Sequence, residues 1–404
     1  MLTETTDKKF KWIYWSMVFL ALGVISSPTV VSLFHILIAI PAILVFKDSY
    51  KEVKIPKSSW FLIALFGWGL ISAFVNLDTL VKPGKAFQEL KFYLFGWLFI
   101  YPLIYFAKNT SAWRWRRLLQ ILSFVIIVGF FVGISKAWFG FDPVKWRFGD
   151  YHIRSGGFTN YMRYGYASSF LFLLGLSMYF NREKIKNIVS GSKLIWAAVI
   201  FCFLAIGTAQ TRGAVLGLLV ALPFLLYRYR PRIAKGLVGL GFLFGITVVA
   251  ASFTGVIKNR FINIKDGSNT VRMSQFYSAA MAIKDNPVLG LGPDQFSYNV
   301  PRIKKEYDIW AKDYSGHAHN IFLEHGANYG VLGIILLFGF LLVWFIEMVS
   351  MKSAFGWAIA SYIMAFTAAG QVELLFDNTN SHIMFFIYSL SQALRIKANE
   401  DFKL

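Results

Sequence analysis

The chain has 404 residues, 56% of them hydrophobic, 18% aromatic and only 15% charged. Soluble domains carry roughly 25% charge, so a water-soluble protein is excluded. A single polytopic membrane domain spanning residues 1–404, with no soluble domain appended, is expected. The 41 Lys and Arg exceed the 21 Asp and Glu and give a formal charge of +20. The basic residues flank apolar runs, so the excess is read as membrane topology, and no nucleic-acid partner is expected.

The N-terminus is polar and carries Lys8, Lys9 and Lys11 ahead of an apolar stretch. It lacks a small-residue cleavage site, so a retained first helix is expected instead of a cleaved signal. Apolar segments follow at 12–26, 29–46, 60–75, 92–106, 118–138, 164–180, 194–208, 214–227, 233–253, 321–349, 355–369 and 383–394. That pattern predicts about twelve transmembrane helices. Several fall short of the roughly 20 residues that cross a hydrocarbon core, and flanking Trp, Tyr and Lys extend them into the interface. The lone cysteine, Cys202, cannot form an intrachain disulfide. No internal repeat is evident, which weighs against repeat-built transporter folds.

With the N-terminus inside, every short inside loop is basic: Lys47 to Lys57, Lys108 to Arg117, Arg182 to Lys193 and Arg228 to Lys235. Both termini are then cytoplasmic. The one long hydrophilic insertion, 255–320, falls on the outer side between the ninth and tenth spans. Connections beyond about 15 residues are usually functional or disordered. Because 271–283 has helical spacing, an ordered, partly helical outer cap is expected.

Three places carry chemistry. Gln210-Thr211-Arg212-Gly213 lies between two apolar runs. An arginine at membrane depth is costly and faces a cavity or a partner; Arg212 reads either as a bidentate phosphate ligand or as a side chain snorkelling at an outer turn. In the long loop, Arg260 and Arg272 frame a polar run, and Asn286-Pro287-Val288-Leu289-Gly290-Leu291-Gly292 follows with Pro and Gly placed as turn signals. A solvated charged face is the plainer reading there. Where the loop re-enters the membrane, Ser315-Gly316-His317-Ala318-His319-Asn320 is followed by Glu324, His325 and Gly326. His-x-His with a nearby Glu can suit zinc, but no second ligand cluster and no Asp-x-Asp element accompany it. A neutral imidazole acting as general base is the better chemical use, and helix capping is the structural one.

Taken in order, Gln210 to Gly213, Arg272, Asn286 to Gly292, and His319-Asn320 with Glu324 and Gly326 resemble the O-antigen ligase and polymerase superfamily of membrane glycosyltransferases. The resemblance covers roughly 194–342. Each motif is short; their order, spacing and side of the membrane carry it together. It implies an all-α, GT-C-like fold in the bacterial inner membrane, with the active site and the 255–320 loop facing the periplasm. It implies a ligase that transfers a glycan from undecaprenyl diphosphate to a sugar hydroxyl of lipid A–core, without nucleotide sugar, cofactor or metal. Arg212 and Arg272 match the family's arginines, with Arg260 in support, and would stabilise the diphosphate leaving group. His319 matches its loop-end histidine and would take the acceptor proton in an inverting displacement. Gln210, His317, Asn320 and Glu324 would contact substrate, and Glu324 could orient a histidine. No carboxylate stands out as a nucleophile. An O-antigen polymerase or a protein O-glycosyltransferase of the same superfamily, and from another class a transporter, are the alternatives.

Overall fold

A computed structural model describes residues 7–26, 28–50, 53–149, 154–239, 267–312, 314–375 and 378–401. These residues are almost entirely helical. In chain order the helices are α1 (Lys8–Gly23), α2 (Pro28–Ser49), α3 (Lys57–Val75), α4 (Pro83–Leu98), α5 (Ile100–Asn109) and α6 (Ala112–Trp138). Next come α7 (Tyr161–Phe180), α8 (Lys186–Val189), α9 (Lys193–Ala209), α10 (Arg212–Tyr229) and α11 (231–239). The last are α12 (Gly267–Asp285), α13 (Phe296–Glu306), α14 (Ile321–Ser350), α15 (Ala354–Ala369) and α16 (Asn378–Asp401). A two-stranded antiparallel hairpin pairs β1 (Phe141–Asp142) with β2 (Arg147–Phe148).

Among the described residues, five helical stretches are long and apolar enough to cross a membrane: Lys57–Val75, Pro83–Asn109, Ala112–Trp138, Arg212–Tyr229 and Ile321–Ser350. Leu33–Lys47, Lys193–Ala209 and Ala354–Ala369 are shorter apolar helices. The chain is an all-helical membrane protein. The helical spacing expected at 271–283 is realised in α12. Residues 240–253 of the segment expected at 233–253 lie outside the described residues.

The segment expected at 92–106 is longer than its apolar run and is broken. Helix α4 starts at Pro83, whose fixed φ and missing N–H suit a first helical turn. Pro102 then has no amide to donate back to Leu98, so the first helix ends. The chain restarts as α5, with Leu103 N–H reaching Phe99 O at 3.2 Å.

A second break shapes the start of α14 and the segment packed against it. Helix α14 contains one non-helical residue, Gly330, at φ 72° and ψ −172°. Such a break orphans the backbone groups on either side of it. The Gly-rich run 287–292 takes their place: Leu291 N–H donates to Ala327 O (2.9 Å) and Gly292 N–H to Asn328 O (3.0 Å). In return, Val331 N–H donates to Pro287 O (2.8 Å). The Trp68 indole from α3 caps Tyr329 O at 2.9 Å, and Ser72 Oγ donates to Leu289 O at 2.7 Å. Approach this close requires Gly290, at φ 66°, because a Cβ there would sit 2.4 Å from Asn328 C and Tyr329 N. One more residue of α14, Asn328, uses Oδ1 to accept the Gln295 and Phe296 amides and so starts α13.

The loops sort to two ends of the bundle. At one end the buried Glu347 accepts from Lys57 N–H (2.9 Å), Ser58 Oγ (2.5 Å) and Gln392 Nε2 (2.7 Å), and pairs with Arg395 at 3.0 Å. Lys397 binds Ala107 O, Arg116 binds Ile188 O and Asn181 binds the Tyr229 hydroxyl at this same end. At the other end Asn76 meets Gly290, Gln295 meets Lys82, Ser155 meets Thr208 and Ile321 meets Gly370. Between them lies a core rich in aromatic rings, with Trp344, Tyr93, Tyr362 and Tyr388 fully buried.

The break at Gly330 yields a test. A Cβ at Gly330 would sit 2.1 Å from Val288 O, on a backbone conformation that L residues rarely adopt. Gly330→Ala is expected to destabilise the protein by about 2 kcal/mol or more, read as a lowered unfolding midpoint in detergent. An unchanged midpoint would contradict the tight pairing of 287–292 with α14.

Candidate functional site

The turn between α9 and α10 is built by backbone conformation. Gln210 ends α9 in the left-handed region, at φ 50°. The chain reverses there, and α10 begins at Arg212. Thr211 Oγ1 donates to Tyr161 O at 3.0 Å, tying the turn to the start of α7. Gly213 lies against the Tyr166 hydroxyl with no room for a side chain. Arg212 is therefore held at a helix start at one end of the bundle, with its side chain exposed.

His319 approaches from the loop ahead of α14, also with a left-handed backbone, at φ 50°. Asn320 caps α14 by accepting from Phe322 and Leu323 N–H (2.9 and 3.0 Å), and its Nδ2 donates to Gln371 O at 3.3 Å. Ile321 N–H donates to Gly370 O at 2.8 Å. These bonds lay the chain after α15 beside the histidine, and Glu373 lands 2.8 Å from His319 Nδ1. An ionised carboxylate can only accept, so this contact places a proton on Nδ1 and leaves Nε2 as the ring nitrogen not bonded to Glu373. The other carboxylate oxygen, Oε2, lies 3.7 Å from Arg272 on α12.

Gln210, Arg212, Arg272, His319 and Glu373 line one cavity of about 550 Å³, with Arg154, Tyr161 and Tyr314 completing its wall. Arg154 lies over the Tyr161 ring at 4.9 Å. The buried Lys304 donates from Nζ to Ala311 O (3.0 Å) and Tyr314 O (2.8 Å), folding that loop toward the cavity; burial pulls its ammonium below the usual lysine range.

The remaining expected site residues lie to one side. Glu324 accepts Ala318 N–H at 2.6 Å and lies 3.4 Å from His317 Nδ1, so the histidine it approaches is His317, not His319. His317 is largely exposed and does not line the cavity. His325 is buried, with Nε2 bonded to the Tyr93 hydroxyl and Nδ1 to Ile321 O, both at 2.9 Å. Of the three clustered histidines, His319 is the one that faces the cavity. Arg260 lies outside the described residues. Below the histidine loop, burial raises the Asp294 carboxyl to about 6. Among the described residues no group of three or more His, Cys, Asp or Glu could hold a metal ion.

Among the cavity residues missing from the sequence reading are two charged ones, Glu373 and Arg154. Glu373 had one available signal: it is a lone acidic residue just past an apolar run, at the end that receives Arg212, where charge is costly without a partner. Arg154 had none, since it sits in a polar connection among other basic residues.

Fold and cavity together define an all-helical membrane protein with a cationic, histidine-bearing cavity at one end of its bundle. Residues 197–338 match the family model described as O-antigen ligase. Arg212, Arg272 and His319 all fall inside the matched segment, and Glu373 lies beyond it. The chain is also similar to an uncharacterised protein of Haemophilus influenzae, 22% identical over 357 residues that cover 83% of this chain and 82% of that protein.

Proposed function

We propose that this protein is an O-antigen ligase of the bacterial inner membrane. It moves a glycan from undecaprenyl diphosphate to a sugar hydroxyl of lipid A–core. The observation that carries this reading is the meeting of Arg212, Arg272 and His319 in one cavity. A sugar–diphosphate donor needs fixed positive charge where negative charge grows on the leaving group. An acceptor hydroxyl needs a base within reach.

In the reaction, His319 Nε2 takes the proton of the acceptor hydroxyl as its oxygen attacks the anomeric carbon. The bond from that carbon to the diphosphate oxygen breaks, and undecaprenyl diphosphate departs against Arg212 and Arg272, with Arg260 in support. The anomeric centre inverts. Glu373 is engaged by His319 and Arg272, so it serves to orient the base, not to act as a nucleophile. The arginines carry the charge role, and no metal is invoked. Gln210, Asn320, Glu324 and His317 shape the surroundings of the reacting groups.

The finer topology belongs to the same proposal. Twelve spans are counted, with residues 240–253 completing one of them. Both termini lie in the cytoplasm and 255–320 forms a periplasmic loop in a single membrane domain. The basic loops that gather at the Glu347 end support this orientation. A label reaching Ser268→Cys in intact spheroplasts, with no labelling at the Arg228 to Lys235 loop until the membrane is breached, is the expected result. The opposite pattern would reverse the orientation.

Deleting the encoding gene tests the activity. Loss of long-chain lipopolysaccharide with accumulation of lipid-linked polymer is expected. A core bearing a single repeat unit would identify a polymerase instead, and unchanged lipopolysaccharide would point to a different acceptor or to a transporter.

Variants separate the roles. General bases contribute about 10² to 10⁴ in rate, so His319→Ala is expected to abolish detectable ligation while donor binding persists. Arg212→Lys and Arg272→Lys keep charge but lose the two-pronged phosphate geometry, and should weaken donor binding as well. His317→Ala and His325→Ala should be milder. Ligation assays on variants shown to reach the membrane at normal level decide this. If all three histidine variants keep activity, the general-base step falls.

A further inference from the structure

Helix α6 fixes the depth of the hairpin that follows it. Its 27 residues span about 40 Å at about 1.5 Å per residue, close to the depth of a hydrocarbon core with its headgroup layers. Arg114, Arg116 and Arg117 lie in its first turns and Lys136 in its last. Trp113 and Trp138 stand near its two ends, 56% and 53% exposed. Exposed tryptophans beside cations mark the headgroup level of a membrane. The hairpin of β1 and β2 starts directly after Trp138, and Gly149 N–H closes it onto Gly140 O at 2.9 Å. It lies at the His319 end of the bundle, where Lys136 Nζ donates to Gly157 O and Ser155 N–H to Thr208 O.

The hairpin has two unlike faces. Phe141 pairs with Phe148, and Asp142 with Arg147; opposed residues share a face. Asp142 turns back to α6, 3.4 Å from Lys136, and accepts Val144 and Lys145 N–H at 2.9 and 3.2 Å. On the other face the Phe141 ring lies 5.1 Å from Phe148 and 5.3 Å from Trp146. Trp146 and Phe148 are 81% and 79% exposed, and Phe139 and Val144 beside them are exposed as well. Trp146 also holds φ 49°, an uncommon conformation for a bulky residue. A two-stranded hairpin is marginally stable by itself in water, and this one turns its rings outward.

We propose that this aromatic face is an interfacial anchor, seated in the phospholipid headgroup layer of the leaflet at the His319 end. Continuity with α6, one of the helices long and apolar enough to cross a membrane, puts the rings at that depth. Tryptophan and phenylalanine suit a layer that is apolar below and wet above. Lys145 and Arg147 are exposed on the same short turn and strand, where lipid phosphates lie within their reach. The core of a protein–protein contact is depleted of such charges, so the bilayer fits this surface better than a second copy of the chain. Arg154, on the cavity wall, follows Phe148 by six residues. The anchor therefore sets the depth at which that wall meets lipid. It does not depend on the proposed reaction.

The test uses the full-length protein in nanodiscs of phosphatidylethanolamine and phosphatidylglycerol. Cys202→Ala removes the native thiol, and a nitroxide is attached at Trp146→Cys, at Phe148→Cys or at Val144→Cys, the last leaving every aromatic ring in place. Asp308→Cys, on an exposed side chain, is the aqueous control. Power saturation compares collisions with oxygen, which concentrates in lipid, and with a water-soluble nickel chelate. The oxygen-to-nickel ratio at 144, 146 and 148 is expected to exceed that at 308 several-fold. Adding Trp146→Ser and Phe148→Ser to the Val144→Cys protein should bring its ratio down toward the control. Ratios equal to the control at all three positions would overturn the proposal by placing the hairpin in water. Immobilised labels shielded from both reagents would overturn it in favour of a protein contact. An unchanged ratio in the serine variant would show that the rings do not hold the hairpin in the bilayer, and would overturn it as well.

Discussion

The architecture at the cavity end of the bundle depends on one backbone exchange. A transmembrane helix broken at its middle exposes carbonyls and amides that lipid cannot satisfy. In α14 the break at Gly330 is filled by 287–292, which supply donors to Ala327 O and Asn328 O and accept from Val331. The exchange fastens the segment that carries α12 and α13 to the membrane helices by main-chain bonds. Main-chain bonds hold register in a way that side-chain packing alone does not. With 287–292 fixed, α12 is held on one side of the junction and α13 on the other, and α12 carries Arg272 to the cavity.

The cavity itself is a balance of unlike charges. Arg154, Arg212 and Arg272 would repel one another in a confined space. Glu373 sits among them, close to Arg272 and bonded to His319. It moderates the repulsion, and it also engages Nδ1 of the imidazole. A glutamate in this place therefore couples the cationic part of the site to its basic part. An anion entering the cavity meets arginines already held in position, so less reorganisation is needed when charge develops.

Much of this was readable in the sequence, for definite reasons. Apolar runs marked the helices because lipid and core both select for them, and the Gln210 to Gly213 turn stood out because an arginine between two such runs has few places to go. Helical spacing at 271–283 located α12. What stayed hidden depends on partners distant along the chain. Glycine at 290 and 292 read as turns, and they are turns, but the close approach of Gly290 to Asn328 and Tyr329 on α14 was not readable. The break at Gly330 follows Glu324, His325 and Asn328 in a stretch that otherwise reads as the start of one apolar helix. Glu373 is 54 residues from His319 in the chain, and only the Ile321–Gly370 and Asn320–Gln371 bonds bring them together. Glu324 was the nearer carboxylate in sequence, yet the geometry of one helical turn directs it to His317 and the Ala318 amide.

The spacing of the cavity's residues along the chain has a consequence for how the protein is made. Arg154 and Arg212 emerge from the ribosome early, Arg272 later, and the His319–Glu373 pair closes only after residue 373 has been synthesised. Until then Ile321 has no Gly370 carbonyl to bond, and the start of α14 has nothing to rest on. A nascent chain stalled before α15 would thus insert most of its helices while holding no assembled site. Membrane insertion and the assembly of the cavity are separated in time.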